Sequence, residues 1–259
     1  MLKEKIKNHL SFASFRRIRN IIDDIRAVGF GNNLDKLGEI YRTDKIGRHC
    51  YTQHYQLHFK KFKYNRINLL EIGVGGHEDP HQGGNSLRMW KRYFRFGRIF
   101  SIDIFEKSML QEKRIKIFQG DQVDKEFLDK VTKDIGKIDI IIDDGSHINE
   151  HVIETFKLLF PKLHDDGIYV IEDTQTSYWP QFGGSEDLNN PNSMMNFFKT
   201  LTDCLNNKEF IDPEYVQNYY DKKIISIHFY HNLIFIYKGN NNEESPLLPM
   251  IREELKQMS

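Results

Sequence analysis

Two short stretches concentrate the acid–base chemistry of this 259-residue chain, Ile142-Asp143-Asp144-Gly145-Ser146-His147 and Ile171-Glu172-Asp173-Thr174. Asp144, Glu172 and Asp173 make an all-oxygen set of the kind hard divalent cations prefer, so Mg²⁺ or Mn²⁺ is expected rather than zinc. His147, three residues beyond Asp144, is placed to act as a base beside such an ion. The plainer reading is a histidine at a helix start, hydrogen-bonded to Asp144. Three carboxylates this close repel unless a cation lies between them. Successive strand residues face opposite ways, so only one of Asp143 and Asp144 points at the ion, and Asp144 is the ligand expected.

Both stretches read as ends of strands. Short apolar runs at 67–72, 98–104, 114–118, 138–142 and 167–171 alternate with helical segments at 86–94, 123–135 and 148–163, the pattern of βαβ units on a parallel sheet. The run at 138–142 is nearly all apolar, as a strand covered on both faces should be. Two further runs, 223–230 and 233–237, are separated by His231-Asn232 and suit a tight hairpin. The expected fold is α/β and Rossmann-like, a seven-stranded, mostly parallel sheet with an antiparallel last strand and helices on both faces. That arrangement is similar to the class I S-adenosylmethionine-dependent methyltransferases.

The loop after the first strand bears on the choice of ligand. Gly73, Gly75 and Gly76 let backbone approach a ligand at the carboxyl edge of the sheet. In place of the third glycine of a dinucleotide fingerprint stands Glu78, and carboxylates at a helix start would repel a diphosphate. A cationic sulfonium meets no such repulsion, and Glu71 would favour it. Asp103 ends the second strand, where a carboxylate accepts hydrogen bonds from ribose hydroxyls. Asp121 and Gln122 follow the third strand, where an adenine would lie. Glu71, Gly73, Gly75, Asp103, Asp121, Gln122 and Asp143 are therefore the candidate cofactor residues, with S-adenosylmethionine as the cofactor. Helix capping and strand-end turns are the plainer roles for Asp103 and Asp121.

Between about Leu37 and Gly184 the chain resembles the metal-dependent sugar O-methyltransferases of macrolide biosynthesis and the related rhamnosyl methyltransferases. The stretches that carry the resemblance are Tyr41-Arg42-Thr43-Asp44-Lys45, His49-x-Tyr51-Thr52-x-His54-Tyr55, Leu70-Glu71-Ile72-Gly73-Val74-Gly75-Gly76, Ser101-Ile102-Asp103-Ile104-Phe105, Gly120-Asp121-Gln122, the run from Ile142 to His151 and the run from Ile171 to Pro180. The resemblance implies that Asp144, Glu172 and Asp173 are magnesium ligands, that His147 is the catalytic base, and that the acceptor is a sugar hydroxyl. The acceptor would be a glycan, a nucleotide sugar or a glycosylated natural product. A catechol-like or small phosphorylated acceptor on the same fold, and a non-catalytic glycan-binding module, are the alternatives. Tyr178 and Trp179 are candidates to stack on the sugar, or else cap the core.

Three parts are expected: a basic helical extension over 1–36, a methyltransferase domain over 37–240 with a lid-like segment at 180–220, and a charged tail over 241–259. The extension mixes Lys3, Lys5, Lys7, Arg16, Arg17 and Arg19 with Leu10, Phe12, Phe15, Ile18, Ile21 and Ile22. It reads as a contact for a membrane surface or a partner complex, or as an amphipathic helix on its own domain or another subunit. A homo-oligomer is expected. Lys plus Arg equals Asp plus Glu at 37 each, so no overall charge draws nucleic acid. Only Cys50 and Cys204 occur, and no transmembrane or signal segment is read, which points to the cytoplasm.

Overall fold

The computed structural model describes residues 12–258; Lys3, Lys5, Lys7 and Leu10 of the basic extension lie outside the described residues. Seven strands form one sheet: β1 (Asn68–Ile72), β2 (Arg98–Asp103), β3 (Ile115–Gln119), β4 (Ile138–Asp143), β5 (Leu163–Glu172), β6 (Ile224–Tyr230) and β7 (Leu233–Lys238). Their order is β3-β2-β1-β4-β5-β7-β6. The first five are parallel, and β7 runs antiparallel between β5 and β6. Asn232 takes the left-handed conformation (φ 59°) that a two-residue hairpin turn requires.

Helices cover both faces. On one face α1 (Phe12–Arg26), α2 (Leu34–Tyr41), α3 (Thr52–Phe59) and α4 (Asn85–Tyr93) gather around the sheet. There Leu37, Tyr55, Phe59, Leu87 and Trp90 pack with Leu69, Ile140, Ile142 and Val170. On the other lie α5 (Lys125–Ile135), α6 (Asn149–Leu159) and α7 (Met194–Leu205), which bury Leu128, Val152, Phe156 and Phe198 against Leu70, Ile141, Tyr169 and Ile171. Every residue of β1 and β4 is buried. Two short helices complete the chain, α8 (Tyr219–Lys223) and α9 (Leu248–Met258).

Element ends follow local chemistry. Helix α5 starts at Lys125 rather than Val123 because the Asp124 carboxylate caps it, accepting from the Phe127 N–H at 3.1 Å. Helix α6 gives way after Leu159 to a 3₁₀ turn containing Pro161, which lacks the N–H to continue it. The segment 163–172 then pairs as one strand that is longer than the apolar run suggests, with a register irregularity between Ile138 and Ile140. Helix α1 rests on its own domain through two carboxylates. Buried Asp23 pairs with Arg42 and Arg88, and Asp24 accepts from the Tyr41 hydroxyl at 2.8 Å. Ile18, Ile21, Ile22 and Ile25 of the same helix are exposed. Among the described residues no helix is long and apolar enough to cross a membrane.

Register positions the site. Ile102, Ile72, Asp143 and Ile171 lie side by side across β2, β1, β4 and β5. One step further along four adjacent strands therefore come Asp103, Gly73, Asp144 and Glu172, all at one level of the carboxyl edge. Alternation sends Glu71, Asp144 and Glu172 to the face that carries α2 and α3, and Asp143 to the opposite face.

Candidate active site at the carboxyl edge of the sheet

The glycine loop after β1 is built by close approach. Gly73 has φ +92°, and a Cβ there would stand 2.1 Å from the Asp144 carbonyl oxygen. Gly75, at φ +77°, has open space before it. Asp103 ties this loop to its own strand end, accepting from Val74 N–H and Phe105 N–H, each at 2.9 Å. Helix α4 begins at Asn85, within one residue of the expected start, so Glu78 and Asp79 sit in the loop and not at a helix start. Asp79 turns back on His81 N–H and Gln82, while the buried Lys107 ammonium holds the Asp79 and Gln82 carbonyls.

Three of the expected cofactor residues are occupied elsewhere in the structure. Glu71 is fully buried, accepting from Ser86 Oγ at 3.0 Å and Trp90 Nε1 at 3.1 Å, with Lys45 Nζ 3.1 Å from its other oxygen. Gln122 is a brace: its Nε2 donates to Thr155 Oγ1 at 2.9 Å and its Oε1 accepts from Ser146 N–H at 2.8 Å. Asp143 lies in the core beneath the crevice, beside Gln122 and Tyr169, and burial pushes its carboxyl up to about 7. Alternation along β4 is the reason. Asp121 closes its own turn by accepting from Val123 N–H at 3.1 Å.

The acidic cluster is organised around a residue whose importance its sequence motif does not reveal. The Lys45 ammonium, buried to 1 % exposure, stands 2.6 Å from Asp144 Oδ2, 2.6 Å from Glu172 Oε1 and 3.1 Å from Glu71 Oε1. Burial alone would lower its pKa; Asp144, Glu172 and Glu71 outweigh that and hold it well above its ordinary value. Burial pushes Glu71 up to about 7 and, with Asp144 nearby, raises Glu172 well above its ordinary range. The Tyr55 hydroxyl also donates to Glu172.

Lys45 divides the expected ligand set. Asp144 belongs to two groups whose ligand atoms lie within 4.8 Å of one another, Glu71-Asp144-Glu172 and Asp144-His147-Asp173. In the second group His147 Nε2 lies 3.8 Å from Asp144 Oδ1 and 3.7 Å from Asp173 Oδ2. Asp173 accepts from the Tyr51 hydroxyl at 2.7 Å and has His49 Nδ1 at 3.6 Å. Burial would raise the Asp173 pKa, but Tyr51, His147 and His49 together bring it below its ordinary value. Both His147 (φ 57°) and Asp173 (φ 55°) are left-handed non-glycine residues, a strain that packing at functional sites sustains. Thr176 Oγ1 fixes the His147 carbonyl at 2.9 Å. Buried Asn149 holds the next loop, donating to the Thr176 and Phe182 carbonyls at 3.0 Å each and accepting from Met194 N–H at 2.7 Å. On that loop Tyr178 and Trp179 stand exposed, with Trp179 6.0 Å from Phe182.

The residues fit a hard cation at the carboxyl edge of the sheet, where the strand order reverses between β1 and β4. The donors are carboxylates, and the cluster already encloses a positive charge, the Lys45 ammonium. Against known proteins the match is extensive. The chain is 45 % identical over 214 residues to mycinamicin VI 2''-O-methyltransferase of Micromonospora griseorubida, which covers 82 % of this chain and 54 % of that protein. It is 44 % identical over 207 residues to 8-demethyl-8-alpha-L-rhamnosyl tetracenomycin-C 2'-O-methyltransferase of Streptomyces olivaceus, covering 77 % and 53 %. The chain is a homologue of the macrolide-type sugar O-methyltransferases. A solved mycinamycin-pathway relative, MycE, in complex with Mg and SAH, superposes with a TM-score of 0.81 at 44 % identity over 88 % of this chain and 59 % of that one. The seven-stranded class I methyltransferase fold is thus shared with these sugar O-methyltransferases. The chain spans about half the length of the curated relatives it matches. No protein-family model matches it.

The motif stretches contained the partners of the strand-end acids but not the pairing. Lys45, Tyr51 and Tyr55 come from a loop and a helix about a hundred residues upstream of the acids they hold. The signal that could have found Lys45 is its motif lysine joined to the need for a counter-charge among buried carboxylates.

Proposed function

We propose that this chain transfers a methyl group from S-adenosylmethionine to a sugar hydroxyl, with the help of a divalent cation. One observation carries the reading. Register sets Gly73 and Asp103 on the same level of the sheet as Asp144 and Glu172, and Gly75 of the same loop faces open space. Donor crevice and acidic site are therefore neighbours. The relatives support it too, since they are named for O-methylation of sugars, and one was solved with Mg, SAH and mycinamycin VI.

In this reading Asp103 accepts from the donor's ribose hydroxyls, and the open face of Gly75 admits its backbone-facing side. Asp144, Glu172 and Asp173 would hold Mg²⁺, which when bound would supply a lowered pKa to an acceptor hydroxyl. His147 Nε2 takes the acceptor's proton from a position between Asp144 and Asp173, leaving the oxygen free to face the donor crevice. Tyr178 and Trp179 offer exposed ring surface to the apolar face of a sugar. Asn149, by fixing their loop to the His147 turn, keeps rings and base in register. A glycosylated natural product is the acceptor class the relatives' names favour.

The test is incubation with labelled S-adenosylmethionine, Mg²⁺ and deoxysugar glycosides. A labelled methyl ether should form and should vanish with chelator. Sugar binding that needs no metal and gives no transfer would instead identify a binding module.

A further inference from the structure

The opposite end of the sheet carries a second concave site. A cleft of about 520 Å³ opens beside the link from α1 to α2, and its lining includes Lys63, Lys91, Arg92, Arg95, Arg114 and Tyr64. Lys63 precedes β1, Arg95 precedes β2 and Arg114 precedes β3. The cleft therefore lies at the amino edge of these parallel strands, roughly 17 Å of strand away from the acidic site. Its lining contains no Asp or Glu.

Arg92 and Arg114 of this cleft are held in place by carbonyls rather than by carboxylates. Arg114 donates to the Phe94, Gly97 and Lys91 carbonyls at 3.0, 2.7 and 2.8 Å. Arg92 donates from Nε and Nη2 to the Ala27 carbonyl at 3.2 and 2.9 Å. Lys63, only 7 % exposed, has its ammonium 4.9 Å from the Tyr64 ring centre and 5.5 Å from that of Tyr93. Among the described residues no carboxylate pairs with Lys63, Arg92, Arg95 or Arg114. Lys91 does pair with Glu112, which also serves Arg88. A helix end explains Lys91 and Arg92, since cations complement the α4 carboxyl terminus. Arg95 follows the same helix end, and Arg114 caps it by donating to the Lys91 and Phe94 carbonyls; the helix end does not explain Lys63, which arrives from the segment before β1.

We propose that this cleft binds a diphosphate ester, with the phosphates on the Lys63, Arg95 and Arg114 side and the organic part against Val28 and Tyr64. Guanidinium forks match phosphate oxygens, and the volume lies in the range of small-molecule sites. The exposed Val28 and Tyr64 side chains provide apolar wall beyond the charges. The site is independent of the methyl-transfer reading, from which it is separated by the length of the sheet.

Calorimetric titration of the full chain with pyrophosphate, ADP and inorganic phosphate, at constant ionic strength and without divalent metal, tests this. Pyrophosphate should bind saturably with one site per chain and at least about tenfold tighter than phosphate. Losing one charge-assisted hydrogen bond should weaken pyrophosphate by about tenfold or more in Lys63→Met and in Arg95→Gln. Arg95 is exposed, so its variant folds even if the buried Lys63 variant does not. Asp103→Ala, at the far end of the sheet, should leave pyrophosphate binding unchanged. ADP should bind tighter than pyrophosphate; equal affinity would overturn the placement of the organic part. Absence of saturable binding, undiminished binding in Arg95→Gln, or loss in Asp103→Ala would overturn the site itself.

Discussion

At the scale of single residues, Lys45 makes the acidic cluster compatible with a folded chain. Three carboxylates within reach of one buried ammonium form a network whose members are mutually dependent. Lys45→Met should cost the metal-free protein about 3–5 kcal/mol, the loss expected when one partner of a buried ion pair is removed. Saturating Mg²⁺ should restore part of that, because the metal replaces the missing charge. Denaturant titrations with Mg²⁺ and with chelator measure both, and a loss no larger than that of a surface substitution would refute this role. His58 supplies a separate prediction. Its ring is bonded to the Tyr237 and Tyr230 hydroxyls at 2.7 and 2.9 Å and stacks on Phe235 at 4.1 Å. Burial lowers its pKa from 6.5 to about 4, so the unfolded chain binds the extra proton first. Stability should therefore be intact above pH 6.5 and fall as pH drops from 6.5 towards 4, by up to about 3 kcal/mol from this group. His58→Phe should be less stable at pH 7 yet show a shallower loss over that window. An unchanged slope would assign the acid sensitivity elsewhere.

At the scale of elements, the site is a product of register. Four strand ends brought to one level place Gly73 and Asp103 beside Asp144 and Glu172, and strand alternation decides which acids share a face. Much of this was legible in the sequence: the short apolar runs, the glycines and the acids that end strands locate the carboxyl edge. What the sequence could not convey was the partners that long-range packing within the chain supplies. Glu71, Gln122 and Asp143 carry the right residue types for the cofactor, yet long-range packing gives them Lys45, Thr155 and Tyr169 as neighbours. Gly73→Ala tests the close approach. A Cβ 2.1 Å from the Asp144 carbonyl must move backbone, so a loss of about 3 kcal/mol or more in thermal unfolding is expected, together with loss of SAH binding. A variant that melts and binds like the parent would contradict the geometry. Asn149→Ala should cost about 1–3 kcal/mol and speed hydrogen exchange selectively over residues 176–194, whose carbonyls and N–H it holds. Uniform exchange across the chain would remove its role as the tie of that loop.

At the scale of the whole molecule, a chain with no net charge separates its charges along the strands. Acids gather at the carboxyl edge of the sheet, and unpaired cations at the amino edge of β1–β3. The first arrangement suits a cation and the hydroxyls it polarises, the second an anion. Both follow from a parallel sheet, which puts all its βα turns at one end and all its αβ turns at the other. The central claim concerns the acidic end, and the most direct test is transfer of labelled methyl from S-adenosylmethionine to a deoxysugar glycoside with and without Mg²⁺. The account predicts a methyl ether that forms only with the metal, and a rate about 10²–10⁴-fold lower in His147→Ala. Transfer that persists in chelator, or at full rate without the His147 imidazole, would contradict it.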